Sequence, residues 1–170
     1  FLENYSPAVV IMQLGIVDCA PRYFPQGAFI LKIINRLPFG LNNMFWKLWK
    51  GNNNRSPKFA YVIPFTFRKN LIDYFVRCRA AGVKSVIIIQ IALPGKKMLL
   101  KNPEIFSQVK IYNKIFRDLS REYDFVNIID PLSKGKDEYY IEDGYHLSEN
   151  GAMVVYEELA VLMAAIMEKV

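Results

Sequence analysis

The sequence predicts an α/β domain built on a parallel β-sheet with helices on both faces. Two observations carry that prediction. Three short apolar runs are continuous rather than alternating and rich in β-branched residues, the pattern of strands buried on both sides. Between and after them lie segments with apolar residues at helical spacing, and an alternation of strand and helix makes a parallel sheet.

The first run, Ala8 to Leu14 (AVVIMQL), follows Pro7 and ends at Gly15. Pro21 to Pro64 is irregular, an insertion with helical pieces over about residues 22–64, punctuated by GNNNRSP. Thr66 is placed to cap a helix running to about Ala81, with Gly82 as its stop. Its apolar positions Leu71, Ile72, Phe75 and Val76 recur at helical spacing. Ser85 to Ala92 (SVIIIQIA) is the second strand, closed by Pro94 and Gly95. Pro103 and Glu104 open a second helix, with Val109, Tyr112, Ile115, Phe116 and Leu119 on one face. Phe125 to Ile129 (FVNII) is the third strand, closed by Asp130 and Pro131, and Asn150 or Gly151 opens a last helix running to the end.

The 170 residues suit one domain, residues 1–170, and at 52% hydrophobic the chain can bury a real core. No uninterrupted apolar run reaches the roughly 18 residues of a membrane span. The C-terminal segment comes nearest, interrupted by Glu157, Glu158 and Glu168. Cys19 and Cys78 form neither a metal spacing nor a disulfide framework; they fit a reducing compartment, which favours the cytoplasm. The net charge of +6 is unevenly spread. Between Asp18 and Asp73 there is no acidic residue, while Arg22, Lys32, Arg36, Lys47, Lys50, Arg55, Lys58, Arg68 and Lys69 all fall there.

The strongest motif is Asp143-Gly144-Tyr145-His146. His146 is the one histidine in the chain and sits in a polar loop directly before the helix-opening sequence LSENG. Neutral imidazole suits proton abstraction near neutral pH, and an Asp three residues earlier across a tight turn can fix its tautomer. The alternative is a surface histidine near a helix N-terminus. Position favours a site, because ligands of open α/β sheets bind outside the carboxyl ends of the strands. The loop after the first strand, Gly15 to Arg22, lies at that edge. There Gly15 would let backbone approach a ligand, and Asp18 and Arg22 would stand at the rim. For Asp18 itself the favoured alternative is a turn residue capping local amides.

These residues resemble two motif blocks of the SGNH/GDSL hydrolases. VVIMQLGIVDCAPR resembles the block in which a strand ends in Gly-x-Asn-Asp, and IIDPLSKGKDEYYIEDGYHLSENGAMVVYEEL resembles the block in which Asp-x-x-His precedes the final helix. Tyr112 and Asn113, in the helix between them, are also often seen in that family. The resemblance implies a flavodoxin-like αβα sandwich and a serine that attacks an ester or thioester carbonyl. It makes His146 the general base, Asp143 its orienter and Gly15 the block glycine, with the oxyanion held by backbone amides, a Gly and an Asn side chain.

Two departures qualify the resemblance. The block bearing the nucleophilic serine and the block with the oxyanion glycine are both absent, and Ser6, Ser85 and Ser148 do not fit the nucleophile's role. Val17 stands where the family's oxyanion asparagine would be, and losing such a donor typically lowers the rate about 10²–10³-fold. Arg22 is the candidate electrostatic substitute. The missing blocks normally supply a central strand, whose loss would expose two apolar strand edges. The chain is therefore expected to be an N-terminally incomplete piece of a longer protein.

Phe39 to Lys50 places Trp46 and Trp49 beside Lys47 and Lys50. Trp, Phe, Leu and Lys together favour membrane interfaces, so residues 39–50 predict contact with a membrane surface or an anionic glycan. The alternative is a helical lid packed on the domain. No nucleic-acid partner is expected, since the basic residues spread over an insertion rather than one helix face. One histidine and scattered carboxylates give no ligand cluster, so neither metal nor cofactor is expected. The predicted function is hydrolysis of an acyl ester, small-molecule or glycan, with an O-acetyl carbohydrate in view. Two alternatives stand beside it: a non-catalytic glycan- or lipid-binding domain, and a sugar O-acyltransferase using the same acyl-enzyme.

Overall fold

The computed structural model describes residues 2–24, 28–34, 36–52 and 59–168. Three parallel strands, β1 (Val9–Gln13), β2 (Ser85–Ile89) and β3 (Val126–Ile129), lie side by side in that order. The register sets Val10 opposite Val86 and Val86 opposite Val126. Alternate side chains of a strand point to opposite faces, and here each face has its own core. Val10, Met12, Val86, Ile88 and Val126 meet α5 (Pro64–Ala80) and α7 (Ile105–Glu122) through Phe67, Leu71, Phe75, Val109, Tyr112 and Phe116. Ile87, Ile89 and Ile129 meet α8 (Glu149–Met167) through Val155 and Ile166. The continuous apolar run of β2 has the predicted cause: all five of its residues are buried. The architecture is thus mixed α/β, a parallel sheet between helices.

The strands match the sequence reading in number and in position along the chain, but β2 stops at Ile89, three residues before the predicted end. Past that point the backbone of Ile91 bonds to the side chain of Asn113 instead of to a strand. The helix expected at Thr66 begins at Pro64, because proline fits the first helical position, where its missing N–H is not needed. Its stop at Gly82 holds: Gly82 N–H reaches Arg79 O, and Val83 N–H reaches Cys78 O. The last helix is capped by Ser148, whose hydroxyl accepts from Gly151 N–H at 3.2 Å. Short helices at α1 (Leu2–Tyr5), α2 (Ile16–Cys19) and α6 (Lys96–Lys101) escape sequence periodicity, being less than two turns each.

The insertion is a closed excursion. Arg22 and Phe59 exchange backbone hydrogen bonds of 2.7 and 3.0 Å at its base. Above them stand α3 (Phe29–Ile34) and α4 (Phe39–Asn52). Part of GNNNRSP, and with it Arg55 and Lys58, lies outside the described residues.

No gap separates the strands, an order that counts against a strand missing from between them. Among the described residues β1 has one neighbour only, and its outer edge leaves Ile11 47% and Leu14 37% exposed. On the same side of the sheet α8 keeps Met153, Tyr156 and Val161 exposed. By length and mean hydropathy α8 reaches the measure of a membrane span, although Glu157 and Glu158 interrupt its apolar run. Its contacts with the sheet through Val155 and Ile166 account for part of that apolar content.

Candidate active site

The loop carrying Asp143 and His146 is built before either side chain acts. Tyr140 and Leu147 pair across it as an antiparallel bridge, with Ile141 N–H on His146 O at 2.9 Å and Ser148 N–H on Tyr139 O at 2.9 Å. Burial pushes the Tyr140 phenol up to about 12, so it remains a donor, and it bonds Leu93 O at 2.5 Å. That bond ties the loop to the segment leaving β2. Gly144 adopts φ +83°, and a β-carbon there would lie 2.9 Å from Met98 N, so the second position of Asp-Gly-Tyr-His has a backbone reason.

Within this frame Asp143 Oδ2 lies 2.5 Å from His146 Nδ1. Its other oxygen, Oδ1, accepts the backbone N–H groups of Tyr145 at 3.0 Å and His146 at 2.9 Å. These bonds, the imidazole contact foremost, hold the Asp143 carboxyl down to about 2. A carboxylate on Nδ1 favours the tautomer with the proton there, leaving the Nε2 lone pair available. Among the described residues Nε2 has no hydrogen-bond partner, and 62% of the His146 side chain is exposed. The Tyr145 ring packs on the imidazole, centroids 4.2 Å apart.

Beside the loop a small cavity opens at the carboxyl ends of β1 and β2, lined by Gln13, Ile16, Gln90, Pro94, Tyr140 and Tyr145. Gln90 is nearly buried and its Oε1 accepts from Arg117 Nη1 at 2.7 Å. Asn113 fixes the cavity wall from behind. Its carboxamide is buried and bonds both backbone groups of Ile91, accepting at 2.9 Å and donating at 2.8 Å. The neighbouring Tyr112 hydroxyl donates to Val62 O.

The other predicted residues are distributed differently. Gly15 caps α2 at φ +109°, a conformation that favours glycine, and a β-carbon there would come 2.6 Å from Ile91 Cδ1 and displace the end of that side chain. Val17 is 56% exposed, and its side chain offers no donor. Asp18 faces a separate groove running along the outer edge of β1, with Ile11, Leu14, Phe67 and Tyr74, and burial pushes its carboxyl above the usual range. Arg22 sits at the base of the excursion with its guanidinium 4.3 Å from the centre of the Tyr61 ring. Asp143 and His146 therefore meet directly, Gly15 supports the cavity wall through Ile91, and neither Asp18 nor Arg22 bonds to the pair. Gln13, Gln90, Tyr140 and Tyr145 are polar cavity-lining residues that sequence reasoning missed. Asn113 had a readable signal, a polar residue on the apolar face of α7 between Val109 and Phe116. Among the described residues no group of three metal-ligating side chains comes together.

The fold and the site define an α/β domain carrying a histidine–carboxylate pair at the carboxyl edge of a parallel sheet. No family model, curated protein or solved structure matches the chain.

Proposed function

We propose that the protein is an ester hydrolase of SGNH type, with His146 as general base, Asp143 as its orienting carboxylate, and a serine nucleophile contributed from outside residues 1–170. The observation that carries the reading is the 2.5 Å contact between Asp143 Oδ2 and His146 Nδ1, in a loop whose Tyr145 and Leu147, on either side of the histidine, line a cavity at the strand ends. In this reading Nε2 takes the proton of the attacking hydroxyl, Asp143 stabilises the imidazolium that forms, and the proton passes to the departing alkoxide. Water then repeats the sequence on the acyl-enzyme and releases the acid. The substrate is an acyl ester, with an O-acetyl carbohydrate as the first class to test. The outer edge of β1, unpaired among the described residues, and the groove beside it, lined by Ile11, Leu14 and Phe67, favour an added strand as the carrier of the serine.

The test is aryl acetate hydrolysis by the native-length protein and its His146→Ala variant. The expected loss in kcat/KM is about 10²–10⁴-fold, the usual contribution of a positioned base. Unchanged hydrolysis removes the proposal. A non-catalytic ligand-binding domain is the second reading, favoured by Val17 in place of an oxyanion donor. It predicts saturable binding of an acetylated sugar with no turnover.

A further inference from the structure

We propose that α3 and α4 form a docking surface for an anionic lipid bilayer, a conclusion independent of the hydrolase reading. The helices carry their apolar residues outward. Phe29 and Ile33, one helical turn apart on α3, are 75% and 45% exposed. On α4, Leu41, Met44 and Leu48 form a stripe at i, i+3 and i+7, and all three are about half exposed or more. An ordinary surface helix presents the reverse arrangement, and clustered exposed apolar side chains mark an interaction surface. Each helix is held from its other side: Ile34 of α3 is buried, and Trp46 of α4 packs edge-on against Phe24, ring centroids 6.1 Å apart.

Charge selects the partner. Lys32, Arg36 and Lys47 stand exposed among the apolar residues, and no carboxylate occurs anywhere between Asp18 and Asp73. Exposed apolar residues flanked by cations alone match an anionic bilayer, in which side chains enter the acyl boundary while ammonium and guanidinium groups meet lipid phosphates. A soluble anionic polysaccharide would satisfy the cations but leave the Leu41, Met44 and Leu48 stripe in water. The other exposed apolar helix, α8, carries Glu157 and Glu158 beside Tyr156 and Val161, and an anionic surface repels those carboxylates. Because the excursion leaves the chain after β1, lipid contact would be made from the edge of the sheet that also bears His146.

Co-sedimentation of the intact chain with vesicles of phosphatidylcholine alone, and with phosphatidylserine added, tests the proposal. Binding is expected to the mixed vesicles only and to weaken as salt rises. Replacing Lys32, Arg36 and Lys47 together by Gln is expected to weaken it about a hundredfold, each cation near the surface contributing about fivefold. Leu41→Ser combined with Met44→Ser and Leu48→Ser is expected to abolish it. Both substitution sets change exposed side chains, and unaltered thermal melts establish that the variants fold. The protein's two tryptophans, Trp46 and Trp49, both lie in α4, so a change of intrinsic emission on mixed vesicles reports contact at that helix. Three results overturn the proposal: equal or absent binding to the two vesicle types, a folded charge variant that binds like the parent, or binding to heparin without binding to vesicles.

Discussion

Asp143 uses both carboxylate oxygens, Oδ2 for the imidazole and Oδ1 for the N–H groups of Tyr145 and His146. The same group therefore shapes the turn and orients the ring, which explains why an interval of three residues suffices. With its folded value held at about 2 against an ordinary 3.8, Asp143 stays ionised where an unfolded chain begins to take up protons. The sign follows from linkage: a depressed carboxyl stabilises the fold above its unfolded value, and that contribution is lost as pH falls from about 4 toward 2. Urea unfolding of Asp143→Asn across that interval is expected to show a flatter acid dependence than the parent; parallel curves would contradict the assignment. The pair was legible in the sequence because His146 is the sole histidine and Asp143 precedes it across a glycine turn. Arg22 reads from sequence as a rim residue of the site, yet its guanidinium lies on Tyr61, a contact made only when the excursion closes at Phe59.

At the scale of elements, α7 works as a clamp on the end of β2. The Asn113 carboxamide satisfies the N–H and C=O of Ile91 together, where the chain leaves the sheet and turns toward the cavity. Asn113→Ala leaves both backbone groups buried without partners, at about 1–3 kcal/mol each when unsatisfied. A loss of about 2–6 kcal/mol in urea unfolding is expected, together with faster hydrogen exchange at the Ile91 amide. A stability change under 0.5 kcal/mol would show that water replaces the clamp without cost. The strands were readable from sequence because burial on both faces makes continuous apolar runs, whereas the end of β2 was not, since Ile91 and Ala92 resume the apolar run beyond Gln90. What ends the strand is a side chain on α7, remote in sequence. Similarly, α2 and α6 are set by where their flanking segments are held, and four to six residues carry too little periodicity to announce a helix.

Across the whole molecule, three features converge on the carboxyl edge of the sheet: the His146 loop, the cavity walled by Gln90 and Ile91, and the excursion bearing α3 and α4. The sheet that supports them is lopsided. One face is covered by α5 and α7, whereas the other has α8 over β2 and β3 and leaves Ile11 of β1 half exposed. Alternation of strand and helix in the sequence was enough to predict the parallel sheet. It could not predict the β1-β2-β3 order, because several orders satisfy the same succession of elements. The central claim, a catalytic His146 served by a serine from outside residues 1–170, is tested most directly by fluorophosphonate labelling of the protein isolated from its native source, followed by peptide mapping. The account predicts a modified serine outside residues 1–170, and no modification when His146 is replaced by Ala. Labelling of a serine within residues 1–170, or no labelling of the folded protein, would contradict it.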